Sequence, residues 1–259
     1  MTGDAPIAET AEARAVPVSL CAGTDTFVFD LDDTLYPRGV GLHAQMLSRV
    51  IQFIQQLTGW EAADAAALHA RYYADYGTSL VGLTRHHGVR PQDFLAFVHD
   101  IDLSGLAAND ELKAALSALP GRRLVFTNGS AAHAERVLGR LGIADQFEAV
   151  CDIAACAYVG KPERAAYDTL LARHNVAPRR AIMFDDRAVN LAVPHGLGMQ
   201  TVLIGGHGLP EAGDAAHVHF RAETLAPVLA QIVAGASVRP AACPVRFPLH
   251  EELDPCTLD

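Results

Sequence analysis

Short apolar runs recur along the chain and alternate with longer amphipathic stretches. The runs are rich in β-branched and aromatic residues, which favours buried strands. They lie near residues 26–29, 123–126, 149–153, 181–184, 201–204 and 217–220. Helical periodicity fills most of the intervals, for example 131–141 and 163–174. This repeated order of strand and helix predicts an α/β fold with a doubly wound, Rossmann-like parallel sheet.

The interval between the first two strands is the exception, because it spans about 90 residues. Its periodicity predicts four helices, at 42–58, 61–77, 91–99 and 109–119. So long a connection inside a doubly wound fold is typical of an inserted domain rather than a loop. We therefore expect a core domain of residues 25–36 and 120–235, and an inserted helical domain over 37–119. Residues 1–24 and 236–259 are expected to form an N-terminal tail and an irregular C-terminal extension.

Composition describes an ordinary globular chain of 259 residues, 50% hydrophobic and 19% charged. The formal net charge of -10 argues against nucleic acid as a partner, since a surface that follows a phosphate backbone needs clustered Lys and Arg. An anionic substrate would therefore have to be held by a local cation.

Cysteines and apolar segments bear on the cellular location. The five cysteines are scattered and form no CxxC pair, which is typical of reduced thiols rather than of a disulfide or zinc framework. Residues 1–18 lack the basic and apolar regions of a signal peptide, and no stretch approaches the length of a membrane span. We expect a cytoplasmic protein without a membrane partner. The sequence leaves open whether it forms a homo-oligomer.

Acidic residues stand at the ends of two predicted strands. Asp30 and Asp32 follow the first strand within FVFDLDDT, and Asp185 and Asp186 end the fourth. Open α/β sheets bind ligands at the carboxyl ends of their strands. Taken alone, the first pair is explained equally well as an acidic turn. If these four acids and Asp33 lie together they need a counter-charge, which a hard divalent cation such as Mg²⁺ would supply.

Two further segments complete an ordered set of motifs: LVFTNG at residues 124–129 and GKP at 160–162. Together with DLDDT and the paired acids they resemble the haloacid dehalogenase superfamily, over roughly residues 25–235. Its four motifs are DxDxT, a strand-end Thr or Ser, a Lys, and a strand that ends in paired acids. The resemblance implies a magnesium-dependent phosphomonoester hydrolase, with a helical cap in place of the inserted segment.

The resemblance also implies roles for the acids. Asp30 would attack phosphorus to form an aspartyl phosphate. Asp32 would protonate the leaving oxygen and then deprotonate the hydrolytic water. The implied Mg²⁺ ligands are Asp30, the backbone carbonyl of Asp32 and one of the strand-end pair. Asp186 is favoured as the direct ligand with Asp185 in support, and the reverse order stays open.

Phosphate contacts are implied for the other two motifs. Thr127 precedes Asn128 and Gly129 in a tight turn into a helix, where its hydroxyl and the neighbouring amides can meet phosphate oxygens. Taken alone, such a threonine is more often a plain cap or turn residue. Lys161 would bind phosphate, although a residue before proline at a helix start is also a structural signal. Arg187, where relatives often carry a small residue, would contact substrate or the cap, or be solvated.

Segments of the cap suggest the substrate. RYYADYGTSL at 71–80, FVHDIDL at 97–103 and the Leu-Tyr pair after the first motif resemble the pyrimidine 5'-nucleotidase branch of the superfamily. The implied substrate is a pyrimidine nucleoside monophosphate such as UMP or CMP, with Tyr76 among its contacts. Tyr72, Tyr73 and Tyr76 also fall at helical spacing, so they could equally form the cap interior.

The sequence leaves other functions open, some of which also have a small phosphorylated metabolite as substrate. A sugar-phosphate or phosphoglycolate phosphatase, or a phosphomutase, would keep all four motifs. A 2-haloacid dehalogenase shares the fold and the nucleophile but needs neither Mg²⁺ nor a proton donor at the second acid, so Asp32 argues against it. A non-catalytic binding protein is disfavoured because every expected catalytic residue is present.

Overall fold

A computed structural model describes residues 23–205 and 216–237. Within them, six strands form one parallel sheet in the order β3-β2-β1-β4-β5-β6. The strands are β1 (Thr26–Phe29), β2 (Arg122–Phe126), β3 (Ala149–Cys151), β4 (Ala181–Asp185), β5 (Gln200–Ile204) and β6 (Phe220–Ala222). The predicted doubly wound α/β fold is confirmed. β1 lies between β2 and β4, so the chain reverses direction across the sheet beside the carboxyl end of β1.

Nine α-helices are described in the same residues. They are α1 (Leu42–Thr58), α2 (Ala62–Tyr76), α3 (Ser79–His87), α4 (Pro91–Val98), α5 (Asp110–Ser117), α6 (Ala131–Leu141), α7 (Arg164–His174), α8 (Ala188–Gly196) and α9 (Leu225–Ser237). Five of them, α1 to α5, lie between β1 and β2, where the sequence predicted four.

Alternation of side chains along β1 explains why the sheet has helices on both faces. Phe27 and Phe29 enter one hydrophobic cluster, whereas Val28 enters a second cluster on the opposite face. Phe29 stacks on Phe184 of β4 with ring centroids 4.7 Å apart. Because both faces of the sheet are buried at β1, the strand is a continuous, largely apolar run. Asp30 follows directly after this buried strand.

A separate hydrophobic cluster holds α1 to α4 together. Its members include Ile54, Leu68, Leu83 and Phe94, one from each helix. The side chains of α5 do not belong to it, because Leu112 and Leu116 join the cluster of the sheet. The cap boundaries of 37 and 119 remain a prediction, and a boundary before α5 fits this packing better.

Helix α3 was not expected from the sequence. Thr78 caps its N-terminus by accepting a hydrogen bond from the Leu80 amide at 3.3 Å. Gly82 in its interior weakens the helical signal, but it allows close packing, since a Cβ there would lie 2.2 Å from Cγ of Tyr72. Tertiary packing of α3 on α2 therefore outweighs local propensity.

The last strand begins later than predicted. The sequence placed it at 217–220, whereas β6 pairs with β5 only from Phe220. His217 and His219 instead bond Thr201 at the start of β5: the Thr201 hydroxyl donates to the His217 carbonyl at 2.6 Å, and the His219 amide donates to the Thr201 carbonyl at 3.1 Å. This turn delays the ladder by three residues.

Most of the predicted tail and most of the predicted C-terminal extension lie outside the described residues. Cys151 and Cys156 are buried and unbridged, while the other three cysteines fall outside this part of the chain. In the segments that the structure describes, none of the helices has both the length and the apolar character needed to cross a membrane.

Candidate active site

Lys161 links the ends of two neighbouring strands. Its Nζ lies 2.8 Å from Oδ1 of Asp30 and 2.8 Å from Oδ2 of Asp185, and it donates to the Phe126 carbonyl at 2.9 Å. Only 1% of the lysine is exposed. Burial alone would lower the pKa of Lys161, but the two carboxylates outweigh it and raise that pKa. The ammonium is therefore a fixed positive charge among the acids.

Asp185 has its carboxylate fully engaged. Besides Lys161, its Oδ1 accepts hydrogen bonds from the Arg187 amide and from Nδ2 of Asn190, both at 2.9 Å. Asp186 differs, because no hydrogen bond to its carboxylate appears within the described part of the chain. A carboxylate with free lone pairs can take a ligand, whereas Asp185 can do so only by giving up a donor.

Asp30, Asp185 and Asp186, here called the acidic cluster, place carboxylate oxygens within 4.8 Å of one another. Burial is the main cause that raises the pKa of Asp30 well above its usual value; Asp185 and Asp186 add to this, and Lys161 opposes it. Burial, followed by Asp185, raises the pKa of Asp186 to about 7. One lysine therefore does not neutralise the cluster, and a cation with hard oxygen ligands fits it.

Thr127, Asn128 and Gly129 form the turn after β2. The Thr127 hydroxyl accepts a hydrogen bond from the Gly129 amide at 2.9 Å. Asn128 bonds the backbone of Lys161 twice: its Nδ2 donates to the lysine carbonyl at 2.9 Å, and its Oδ1 accepts from the lysine amide at 2.7 Å. The Asn128 side chain thus fixes the loop that carries Lys161.

Asp32 lies apart from Lys161 and has different partners. Its Oδ1 accepts hydrogen bonds from the Tyr36 hydroxyl and, at 2.8 Å, from Nε2 of His133. Burial would raise the pKa of Asp32, but the charge and hydrogen bond of His133 and the bond from Tyr36 outweigh it and hold that pKa below its usual value. Burial, with the Asp32 charge, raises the pKa of Tyr36, so its phenol keeps its proton.

The sequence analysis did not single out His133. This histidine stands in the first turn of α6, six positions after Thr127, and its side chain is fully buried. The available signal was the position of a histidine in the first turn of the helix that follows the strand-end threonine. Its contact with Asp32 joins residues 101 positions apart, which no local pattern reveals.

Arg187 reaches the cap through Tyr73. Its Cζ lies 4.6 Å from the centre of the Tyr73 ring, and 36% of that tyrosine is exposed. Tyr76 instead bonds His86 within the cap, with its hydroxyl 2.9 Å from Nε2. Of these two tyrosines, Tyr73 is therefore the one seen to meet a residue of the site, while substrate contact by Tyr76 stays a prediction.

Comparison with known families agrees with this geometry. A family model described as haloacid dehalogenase-like hydrolase matches residues 24–194, more than half of the chain. The chain belongs to this family. A second model, described as HAD-hydrolase-like, matches residues 158–232 of this haloacid dehalogenase-like hydrolase.

One curated relative is Phosphate metabolism protein 8 of Saccharomyces cerevisiae. It is 27% identical over 198 residues, which cover 68% of this hydrolase and 60% of the yeast protein. The chain thus matches less than two thirds of that relative's length. The yeast protein's name places that protein in phosphate metabolism.

Solved structures show the same fold at low identity. A HAD phosphatase from Thermococcus onnurineus superposes with a TM-score of 0.58 and 18% identity, covering 83% of this chain and 100% of that one. The L-2-haloacid dehalogenase of Xanthobacter autotrophicus, solved with chloropropionic acid covalently bound, gives 0.52 and 14%, covering 81% and 98%. Phosphatase and dehalogenase thus share this fold, so these likenesses identify the fold alone.

Proposed function

We propose that this protein is a magnesium-dependent phosphomonoester hydrolase that works through an aspartyl phosphate and acts on pyrimidine nucleoside monophosphates such as UMP and CMP. The observation that carries the proposal is the division of the acids into two environments. Asp30 lies with Lys161 and two further acids, whereas Asp32 is held by His133 and Tyr36. Two carboxylates in different environments can take two different roles.

Asp30 is the nucleophile. It projects from the end of a buried strand, and Lys161 holds its Oδ1, which leaves Oδ2 to attack phosphorus. In that step the Oδ2–P bond forms as the bond from phosphorus to the ester oxygen breaks. The Lys161 ammonium offsets negative charge on the transferring group, since it is buried beside the attacking carboxylate.

Asp32 carries the proton. Its low pKa makes it a carboxylate in the free protein, so the proton that it donates arrives with the substrate. The second pKa of a phosphate monoester is about 6, and a monoanionic ester can bring that proton. Asp32 passes it to the leaving oxygen and, as a carboxylate again, accepts a proton from the water that attacks the aspartyl phosphate.

The acidic cluster supports a magnesium site. Asp30, Asp186 and the backbone carbonyl of Asp32 would hold the ion, with Asp185 kept in place by Lys161 and Asn190. When bound, Mg²⁺ supplies positive charge that offsets the phosphate oxygens and helps to orient the ester. The raised pKa values of Asp30 and Asp186 fit this role, because a cation is the charge that the cluster lacks.

Tyr73 and Arg187 support a nucleoside as the leaving group. The tyrosine ring lies over the guanidinium at the contact between cap and core, and it is partly exposed. An aromatic face is suited to a planar base, and a guanidinium to base or sugar oxygens. The likeness of the cap segments to pyrimidine 5'-nucleotidases points to the same substrate class.

A substrate panel tests the proposal. Phosphate release would be measured for UMP, CMP, purine nucleotides, sugar phosphates and phosphoglycolate, with Mg²⁺ and with EDTA. We expect the highest kcat/KM on a pyrimidine nucleotide, loss of turnover in EDTA, and loss in Asp30→Asn. A preference for sugar phosphates or phosphoglycolate would refute the nucleotide assignment but keep the chemistry. Turnover of 2-chloropropionate, with no ester cleaved, would refute the phosphatase itself.

A further inference from the structure

Both hydrogen bonds to the Asp32 carboxylate end on the same oxygen. The Tyr36 hydroxyl and Nε2 of His133 both contact Oδ1. Oδ2 has no hydrogen bond from the described residues, and 22% of the side chain is exposed. The two oxygens of one carboxylate are therefore different, one anchored and the other open to a ligand.

His133 is itself held rigidly. Its amide donates to the hydroxyl of Ser130, the N-cap of α6, at 3.3 Å. Its ring stacks on that of His99 with centroids 4.3 Å apart and an angle of 11° between planes. Nδ1 of His99 lies 3.0 Å from the same Ser130 hydroxyl. The imidazole therefore cannot rotate away from Asp32 unless it breaks the stack.

The backbone beside this histidine leaves little free space. A Cβ on Gly129 would lie 3.2 Å from Oγ1 of Thr127 and 3.4 Å from Cδ2 of His133. Close packing of this kind keeps the His133 ring in one orientation, in which Nε2 faces Oδ1 of Asp32. Since the atom that faces Nε2 is a carboxylate oxygen, Nε2 is the nitrogen that carries the hydrogen. Nδ1 is buried without a partner in the described part of the chain.

We infer that His133 and Tyr36 are positioning residues that hold Oδ1 of Asp32, so that Oδ2 alone gives its proton to the leaving oxygen. This rests on the proposed phosphatase function. In the step, the Oδ2–H bond breaks and an O–H bond forms on the leaving oxygen as its bond to phosphorus breaks. A proton donor acts only within hydrogen-bond reach of its target. If the Asp32 carboxyl rotated freely, its proton would point away from the leaving oxygen for part of the time.

His99 brings the cap into this arrangement. It follows α4, a helix of the cap cluster, and its ring forms the outer layer of the stack on His133. The main chain from His99 to Ile101 is fixed to α6, because Arg136 donates to the carbonyls of His99 and Ile101 at 2.8 and 2.9 Å. A residue at the cap border thus supports the proton donor through His133.

Leaving-group dependence tests the inference. An alkyl ester needs protonation of its leaving oxygen, whereas p-nitrophenolate leaves readily without it. We would measure kcat/KM for UMP and p-nitrophenyl phosphate in wild type, Tyr36→Phe, His133→Leu and His133→Gln. We expect kcat/KM for UMP to fall at least about tenfold more than that for p-nitrophenyl phosphate in Tyr36→Phe and His133→Leu. His133→Gln, which keeps an N–H donor, is expected to recover part of the loss.

Equal losses on both esters, or no loss on either, would overturn the positioning role. His174→Leu is the matched control, because His174 ends α7 and its carbonyl bonds Arg122 at the amino end of β2, whereas Asp32 lies beyond the carboxyl end of β1. In this variant the ratio of kcat/KM for UMP to that for p-nitrophenyl phosphate should stay at the wild-type value. Tyr36→Phe removes one hydroxyl and keeps the test decisive if His133→Leu does not fold. A wild type that hydrolyses neither ester would overturn the proposed function, and this inference with it.

Discussion

Lys161 and Asp185 form a fully buried ion pair, with 2.8 Å between the ammonium nitrogen and Oδ2 of the carboxylate. The same nitrogen lies 2.8 Å from Asp30. Lys161 therefore joins the carboxyl ends of β1 and β4, the two strands that carry the acidic cluster. A buried pair is weak evidence for added stability, but removing one partner leaves a buried charge uncompensated.

Replacement of Lys161 is expected to damage both folding and activity. Lys161→Met leaves Asp30 and Asp185 without their cation, so we expect the free energy of unfolding to fall by about 3–5 kcal/mol and phosphate release to be lost. Urea unfolding and a phosphate assay measure these effects. Lys113→Met is the control, because Lys113 pairs with Asp145 at 3.2 Å on the surface and should matter little. Equal stability of the two variants would contradict this account of the pair.

Magnesium is expected to stabilise the protein through Asp186. Its pKa, raised to about 7, belongs to the protein without metal. A carboxyl whose pKa is raised on folding stabilises the fold fully only below its unfolded pKa of 3.8, and this contribution is lost as pH rises from 3.8 through about 7. Bound Mg²⁺ replaces the proton, so it should raise the Tm more at pH 8 than at pH 6.

Asp186→Asn should remove most of that increase in Tm. Asp185→Asn should lower the Tm even without metal, because the Asp185 carboxylate accepts hydrogen bonds from Lys161, Asn190 and the Arg187 amide. Differential scanning fluorimetry with Mg²⁺ and with EDTA separates the two effects. An undiminished magnesium shift in Asp186→Asn would rule it out as a ligand and favour the reverse order of the two acids.

Acid is expected to destabilise the fold through His99. Burial is the main cause that lowers the pKa of His99 from 6.5 to about 3. A histidine held neutral in the folded state stabilises the fold above the unfolded pKa, and this is lost as pH falls from 6.5 towards 3. The loss amounts to about 2 kcal/mol between pH 8 and pH 5. Unfolding of wild type and His99→Phe at both pH values checks this, since phenylalanine keeps the stack but cannot titrate. The same pH dependence in both proteins would contradict the assignment.

Tyr73 is expected to contribute to substrate binding more than Tyr76. Tyr73→Leu removes the aromatic ring that is proposed to contact the base. An aromatic pair is worth about 0.5–1.5 kcal/mol, so KM for UMP should rise about two- to tenfold with little change in kcat. Tyr76→Phe loses only the bond to His86 and should leave KM unchanged. Steady-state kinetics on UMP decide this; a KM effect in Tyr76→Phe alone would support Tyr76 as the contact.

The strand-end motifs were predictable because their geometry is local. A buried strand carries its last side chains to the edge of the sheet, and parallel strands bring such ends together, so Asp30, Asp185 and Asp186 could be expected to meet. Tertiary packing was less predictable. The close fit of Gly82 on Tyr72 stabilises α3, and the turn at His217 delays β6.

The surroundings of Asp32 could not be predicted from the sequence. His133 and His99 come from different parts of the chain and meet only in the folded protein, and the stack between them leaves no periodic signal. Arg187 was left between several roles for the same reason, since its contact with Tyr73 depends on how the cap lies on the core.

The central claim is that Asp30 becomes phosphorylated during turnover. Acid quenching during steady-state hydrolysis of UMP, followed by mass spectrometry of the peptide that contains Asp30, tests this most directly. We predict a peptide carrying one phosphoryl group on Asp30, present in wild type and absent in Asp30→Asn. Sustained phosphate release by Asp30→Asn at the wild-type rate, with no phosphorylated peptide in either protein, would contradict the account.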